Sequence, residues 1–204
     1  MNKTTIFLDL DGTIFDVSER IYQDYRDILK KYKKKYLKKN DYMELKRKKF
    51  PIREILQRTG ARDISLKFIR EYEKKIEDPY YLKLDKILNS KKKTLLDLRN
   101  DYKLVLLTSR KHPQRLFDQL KKKGIYKIFD KILVGKDKHN IIKKSNSYSK
   151  RSIIVGDTET DILIGKHFGI KTVVVADGMR NKSFLKKYKP DILINDISKL
   201  KRSI

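Results

Sequence analysis

The 204-residue chain contains no cysteine, which excludes disulfides, thiolate metal sites and a cysteine nucleophile. It also lacks any run of about 18 apolar residues, the length a membrane-spanning helix requires. The opening MNKTTIFLDLDG passes straight into a strand-like run and lacks the layout of a secretory signal. By elimination, the expectation is a cytoplasmic protein without a membrane partner. Negative charge is scarce as well. Against 52 Lys and Arg stand 26 Asp and Glu, for a net +26. Such a field favours anionic partners, whether nucleic acid, phosphorylated metabolites or acidic membrane surfaces. Most of the excess is lysine, however, and lysine filling solvated faces is its ordinary explanation.

What is present is patterned. Hydrophobic residues make up 39% of the chain, enough for one substantial domain or for a domain carrying a smaller insert. Six short apolar runs recur: TTIFLD at 4–9, KLVLLTS at 103–109, KILVG at 131–135, RSIIVGD at 151–157, KTVVVAD at 171–177 and DILIND at 191–196. Near-continuous apolar stretches of this length suit strands buried on both faces of a parallel sheet. Between them the spacing predicts helices over 112–123, 138–144 and 161–168, the first and last stopped by Gly124 and Gly169. Strands alternating with helices predict a doubly wound parallel α/β sheet, Rossmann-like, with ligands bound at the carboxyl ends of its strands.

Residues 16–91 interrupt that alternation. Ile21, Tyr25, Ile28, Tyr32 and Tyr36 follow helical spacing, and the lysine-rich stretch 30–39 keeps the period, so it too reads as helix. Pro51 marks the start of a further helix and Gly60 its stop, and 64–76 and 80–88 continue the helical pattern. The division expected is an α/β core at 1–15 and 92–204 with a helical insert at 16–91. At that spacing, Tyr22, Tyr25, Tyr32 and Tyr36 read as packing residues before they read as base-stacking ones. His112, His139 and His167 lack ligand spacing and receive no role.

The chemistry gathers at the strand ends. In Asp9-Leu10-Asp11-Gly12-Thr13 the two carboxylates are two residues apart, so they leave the strand on one side, and Gly12 permits the sharp exit. One carboxylate can attack phosphorus while the other gives a proton to the leaving oxygen and then activates water. Carboxylates that merely cap turns are the ordinary alternative. Thr108 and Ser109 end another strand with two hydroxyls able to hold phosphoryl oxygens. Lys136 and Lys138 follow the next strand, and either can neutralise a phosphoryl charge. Asp157 and Asp161 follow a later one and, with Asp9, offer the oxygen ligands Mg²⁺ prefers.

Taken together, these residues resemble the haloacid dehalogenase-like hydrolase superfamily, over nearly the whole chain. Asp9 to Thr13 is similar to its first motif, Thr108 to the second, Lys138 to the third, and Gly156-Asp157 with Asp161 to the fourth. The resemblance implies a phosphatase with Asp9 as nucleophile, through an aspartyl-phosphate, and Asp11 as general acid and base. It implies Mg²⁺ held by Asp9, the Asp11 carbonyl and Asp157, with Asp161 supporting the metal. Thr108, Ser109 and Lys138 would bind the phosphoryl group. Lys138 is preferred to Lys136 because a helix N-terminus adds its own positive potential there. The insert at 16–91 sits where the superfamily places a helical cap, which would set substrate choice.

The function expected is therefore Mg²⁺-dependent hydrolysis of a small phosphomonoester, of phosphoglycolate, sugar-phosphate or nucleotide type. The charge keeps two alternatives open: a phosphatase of nucleic-acid termini, and a non-catalytic nucleic-acid-binding protein on the same fold.

Overall fold

In the computed structural model of the chain, which describes residues 3–145 and 147–204, the six apolar runs form one six-stranded sheet. The strands are β1 (Thr5–Leu8), β2 (Lys103–Thr108), β3 (Lys131–Val134), β4 (Ile153–Gly156), β5 (Lys171–Val175) and β6 (Ile192–Ile194). Every pairing is parallel and the order is β3-β2-β1-β4-β5-β6. β1 and β4 are buried throughout, while the outermost strands β3 and β6 are only half-buried. Burial on both faces is what removed the usual apolar–polar alternation from the sequence. The chain reverses direction of travel between β1 and β4, so the topological switch point, where such sheets bind ligands, lies at the carboxyl ends of these two strands.

The chain divides into two compact units, residues 17–85 and residues 1–16 with 86–204. The first is wholly helical: α1 (Ser18–Lys31), α2 (Lys39–Arg47), α3 (Ile52–Gln57), α4 (Ser65–Lys75) and α5 (Pro79–Leu82). On α1, Ile21, Tyr25 and Ile28 are buried at the expected spacing. Tyr25 stacks on Tyr42 at 3.9 Å between ring centroids, and Tyr32 donates to Glu71. These rings serve packing, except Tyr36, which is exposed. Arg20 is buried against Asp85 at 2.8 Å and also donates to the Ile76 carbonyl.

The helix expected across 30–39 does not form. α1 ends at Lys31, Lys33 takes a left-handed φ of 53°, and residues 34–38 are not helical. The Lys34 amide reaches back to the Leu29 carbonyl and the Lys33 amide to Lys30, a Schellman closure made without glycine. Tyr22 and Tyr25 then bond the Leu37 backbone from both sides, Tyr22 donating to its carbonyl and Tyr25 accepting from its amide. The helix expected at 80–88 also shrinks, to the single turn Pro79–Leu82. Lys86 instead exchanges two backbone hydrogen bonds with Asp16. The boundary accordingly falls at 85/86, not at 91/92.

Asp24 on α1 is fully buried, and neither of its carboxylate oxygens has a hydrogen-bond partner among the described residues. Burial pushes its carboxyl up to about 7; Lys75 and Arg20 pull it down, while Asp27 and Asp78 add to the rise. A raised carboxyl destabilises the fold once ionised, so stability falls as pH climbs from the ordinary carboxylate range through about 7. Asp24→Asn is therefore expected to stabilise the helical unit at pH 8 by about 1–2 kcal/mol, the lost charge being partly offset by a buried amide, and to change little at pH 4. Thermal melts at the two values check this. An equal shift at both would refute it.

The second unit carries the sheet, flanked by α6 (Asn89–Asp101), α7 (Pro113–Lys122), α8 (Lys138–Lys144), α9 (Glu159–Phe168) and α10 (Lys182–Lys186). Phe7, Val105, Leu107 and Ile154 from the central strands share one apolar cluster with Ile142 of α8 and with Ile164 and Phe168 of α9. α6 packs on β2. Two of the histidines that lack ligand spacing meet here, His139 and His167 lying 4.1 Å apart edge to face beside Phe168. No helix among the described residues is long and apolar enough to cross a membrane.

Candidate active site

Each singled-out residue lies at the carboxyl edge of the parallel sheet. The Asp9 amide donates to the Val155 carbonyl at 2.9 Å, so β4 fixes the point where the chain leaves β1. The chain then turns tightly, with the Ile14 and Phe15 amides both returning to the Leu10 carbonyl. Gly12 sits at φ +90°, and a side chain there would run into the Asp157 carboxylate. Gly178, on the loop after β5, approaches the same carboxylate equally closely. Asp157 is thus enclosed by glycine backbone from two loops.

Lys138 is the first residue of α8 and is buried, whereas Lys136 is exposed. Its ammonium donates to Asp9 Oδ1 at 2.7 Å and to Asp161 Oδ1 at 2.8 Å. The other Asp161 oxygen, Oδ2, accepts from the Thr158 hydroxyl and amide, which fixes this carboxylate at the start of α9. Asp157 is fully buried; its Oδ1 accepts from the Thr13 hydroxyl at 3.3 Å and its Oδ2 from the Met179 amide at 2.5 Å. Sequence spacing therefore brings together Asp9, Lys138, Asp157 and Asp161.

Asp11 faces elsewhere. Arg110 grips it with two parallel bonds of 2.6 Å, Nε to Oδ2 and Nη2 to Oδ1. Such a fork is worth more than a single charge contact because two geometries must be met together. Thr108 is buried and its hydroxyl accepts from the Arg110 amide at 3.4 Å, while Ser109 is exposed. Among the described residues, no three carboxylate or imidazole groups already form a metal cluster. The Asp11 side chain is turned to Arg110, and Lys138 bonds Asp9 and Asp161 alike.

The electrostatics follow from burial. Burial pushes the Asp9 carboxyl up to about 7; Lys138 opposes the shift, while Asp161 and Asp11 add to it. Asp157 is held well above the usual carboxylate range, first by burial and then by Asp9 and Asp161. For Lys138 burial works against the charge, but Asp161 and Asp9 outweigh it and hold the ammonium charged. One buried ammonium thus serves three buried carboxylates. The site is short of positive charge.

Several supporting residues were missed in the sequence. Arg110 lies directly after Thr108-Ser109, and its place at a strand end was the only signal. Buried Lys91 donates to the Thr13 carbonyl at 3.2 Å and to Asp177 at 2.9 Å, bracing the first loop, yet its position had placed it in the insert. Arg180 pairs with Glu159 at 2.8 Å and donates to the Met179 carbonyl, tying the 178–180 loop to the start of α9. Neither residue carries a local signature.

Comparison with known proteins identifies the arrangement. The family model for haloacid dehalogenase-like hydrolases matches residues 6–175. The pyrophosphatase PpaX of Oceanobacillus iheyensis is 24% identical over 209 residues, spanning 97% of this chain and 94% of its own. Among solved structures, a haloacid dehalogenase-like family hydrolase from Streptococcus pneumoniae superposes with a TM-score of 0.80 at 21% identity, covering 98% of this chain and 97% of that one. A predicted phosphoglycolate phosphatase from Haemophilus somnus gives 0.75 at 19% identity, with coverage of 98% and 97%.

Proposed function

The chain belongs to the haloacid dehalogenase-like hydrolase family, and from that premise we propose that it is a Mg²⁺-dependent phosphatase of small phosphomonoesters with Asp9 as its nucleophile. It is a hydrolase acting on phosphoric esters. The observation that carries the finer reading is the Lys138 ammonium joining Asp9 to Asp161 beside fully buried Asp157.

In the first step an Asp9 oxygen attacks phosphorus, the bond from phosphorus to the alcohol oxygen breaks, and Asp11, turned out of the Arg110 fork and protonated, gives that oxygen its proton. In the second, water attacks the phosphorus of the aspartyl-phosphate, Asp11 takes the water proton, and Asp9 is released with inorganic phosphate. Lys138 and the strand-end hydroxyls Thr108 and Ser109 hold the phosphoryl oxygens. Lys138 also opposes the effect of burial on the Asp9 carboxyl, favouring the ionised form that attacks.

The donors suit a hard divalent cation. They are oxygens only, and buried Asp157 carries a charge that burial and two neighbouring carboxylates oppose. Asp9, Asp157 and the Asp11 carbonyl would hold Mg²⁺, with Asp161 supporting them. Bound there, Mg²⁺ supplies the positive charge that offsets repulsion between an anionic nucleophile and an anionic substrate. We assign the choice of substrate to the inserted helical unit.

The direct test is phosphate release from p-nitrophenyl phosphate. Turnover is expected with Mg²⁺ and lost with EDTA; equal turnover in both would overturn the metal assignment. Arg110→Ala, which removes the two bonds from Arg110 to Asp11, is expected to lower kcat by about 10- to 100-fold. Arg110→Lys should restore little, since one ammonium cannot reproduce the fork. Full activity in Arg110→Ala would remove the residue from the mechanism.

A second substrate is favoured by one finding, the pyrophosphatase name borne by relatives that align over nearly the whole chain. The same attack on pyrophosphate expels phosphate in place of an alcohol. Inorganic pyrophosphate beside phosphoglycolate, sugar phosphates and nucleotides in one panel separates the two readings by kcat/KM.

A further inference from the structure

The amino-terminal edge of the sheet, opposite the candidate active site, borders a cavity of about 700 Å³. Small-molecule sites span roughly 300–1,000 Å³. Four cations from four places in the chain line it: Lys3 ahead of β1, Arg99 near the end of α6, Lys103 at the start of β2, and Arg151 in the loop before β4. Asp130 also lines it, and its Oδ2 already accepts from the Leu104 amide at 2.7 Å. Among the described residues, Arg99, Lys103 and Arg151 form no ion pair. Half-buried Tyr102 adds an aromatic wall.

We propose that this cavity binds an oligophosphate group, at a site separate from the catalytic centre and independent of its chemistry. Like charges gathered in a concave region reinforce one another's potential, and an anion entering it relieves their repulsion. Four cations against one carboxylate leave three positive charges. A diphosphate or triphosphate matches that charge better than a single phosphate does. Two arginine forks suit the spread acceptor oxygens of such a chain. The group arrives either as free oligophosphate or as part of a nucleotide, whose base would stack on Tyr102.

The test is calorimetric titration of the full chain with tripolyphosphate and with ATP, in EDTA to suppress turnover. Binding that weakens as salt rises is expected. The Arg99→Glu/Arg151→Glu variant should lose at least about tenfold in affinity for both probes. Circular dichroism and p-nitrophenyl phosphate turnover should match the unsubstituted chain, since both residues are exposed and distant from Asp9. Tighter binding of ATP that falls in Tyr102→Ala assigns the nucleotide, and equal affinities assign the free oligophosphate. Failure of both probes to bind, or unchanged affinity in the charge-reversed variant, would overturn the proposal.

Discussion

Replacing Asp9 by Asn is expected to reduce phosphatase turnover by at least about a thousandfold while leaving the protein folded. Asparagine keeps the shape of the side chain and one acceptor oxygen for Lys138, but its amide neither attacks phosphorus nor binds a hard cation well. The fold should tolerate the change. Burial opposes the charged form of Asp9 and pushes its carboxyl up to about 7, so a neutral side chain removes a cost while Lys138 retains Asp161. The expected outcome is a melting temperature at pH 8 equal to or above that of the unsubstituted chain, together with lost turnover. Near-normal turnover in a folded variant would exclude Asp9 as nucleophile.

The second large effect belongs to Lys138. Lys138→Met keeps most of the side-chain volume and deletes the one ammonium bonded to both Asp9 and Asp161. Breaking a buried ion pair by removing one partner typically costs about 3–5 kcal/mol, because the remaining charge is left uncompensated. Asp9 and Asp161 would then lose their bonded cation, with Asp157 adding to the uncompensated charge. The deficit should depend on pH in a defined direction. Carboxyls raised by burial take up protons as pH falls, and their repulsion disappears with the charge, so the variant should be weakest at pH 8 and approach the unsubstituted chain near pH 5. Turnover should fall by about 100- to 1,000-fold, as for loss of one preorganised charge at a reacting oxygen. Exposed Lys136 supplies the control, and Lys136→Met should change stability by no more than about 0.5 kcal/mol. Denaturant unfolding at the two pH values decides the matter. A pH-independent deficit, or a larger loss from Lys136→Met, would contradict the role given to Lys138.

Much of this architecture was legible before any coordinates. Runs such as IFL at 6–8 and IIV at 153–155 are apolar at every position because both faces of a central parallel strand are covered. Their polar endings, Asp9, Thr108 and Asp157, could be placed at one edge because parallel strands all end on the same side. What the sequence hid has local causes. Lys33 closes α1 from the left-handed region although neither Gly nor Asn marks the place, so the lysine-rich stretch read as continuous helix. Lys86 pairs with Asp16 through backbone atoms alone, and no side-chain pattern announces that boundary. The partners of Asp11 and Asp177 lie 99 and 86 residues away, and the choice among so many arginines and lysines is made by the fold. Asp24 was invisible because a carboxylate between Gln23 and Tyr25 in a charge-rich helix looks solvated until its burial is seen.

The account stands or falls on a covalent bond between Asp9 and phosphorus. A reaction with substrate and Mg²⁺, quenched in acid and reduced with borohydride, converts an aspartyl-phosphate to homoserine, which peptide mass spectrometry locates by residue. The expected result is homoserine at position 9, lost when substrate is omitted. Continued turnover with residue 9 recovered only as aspartate and the reduced residue found at another carboxylate would contradict it.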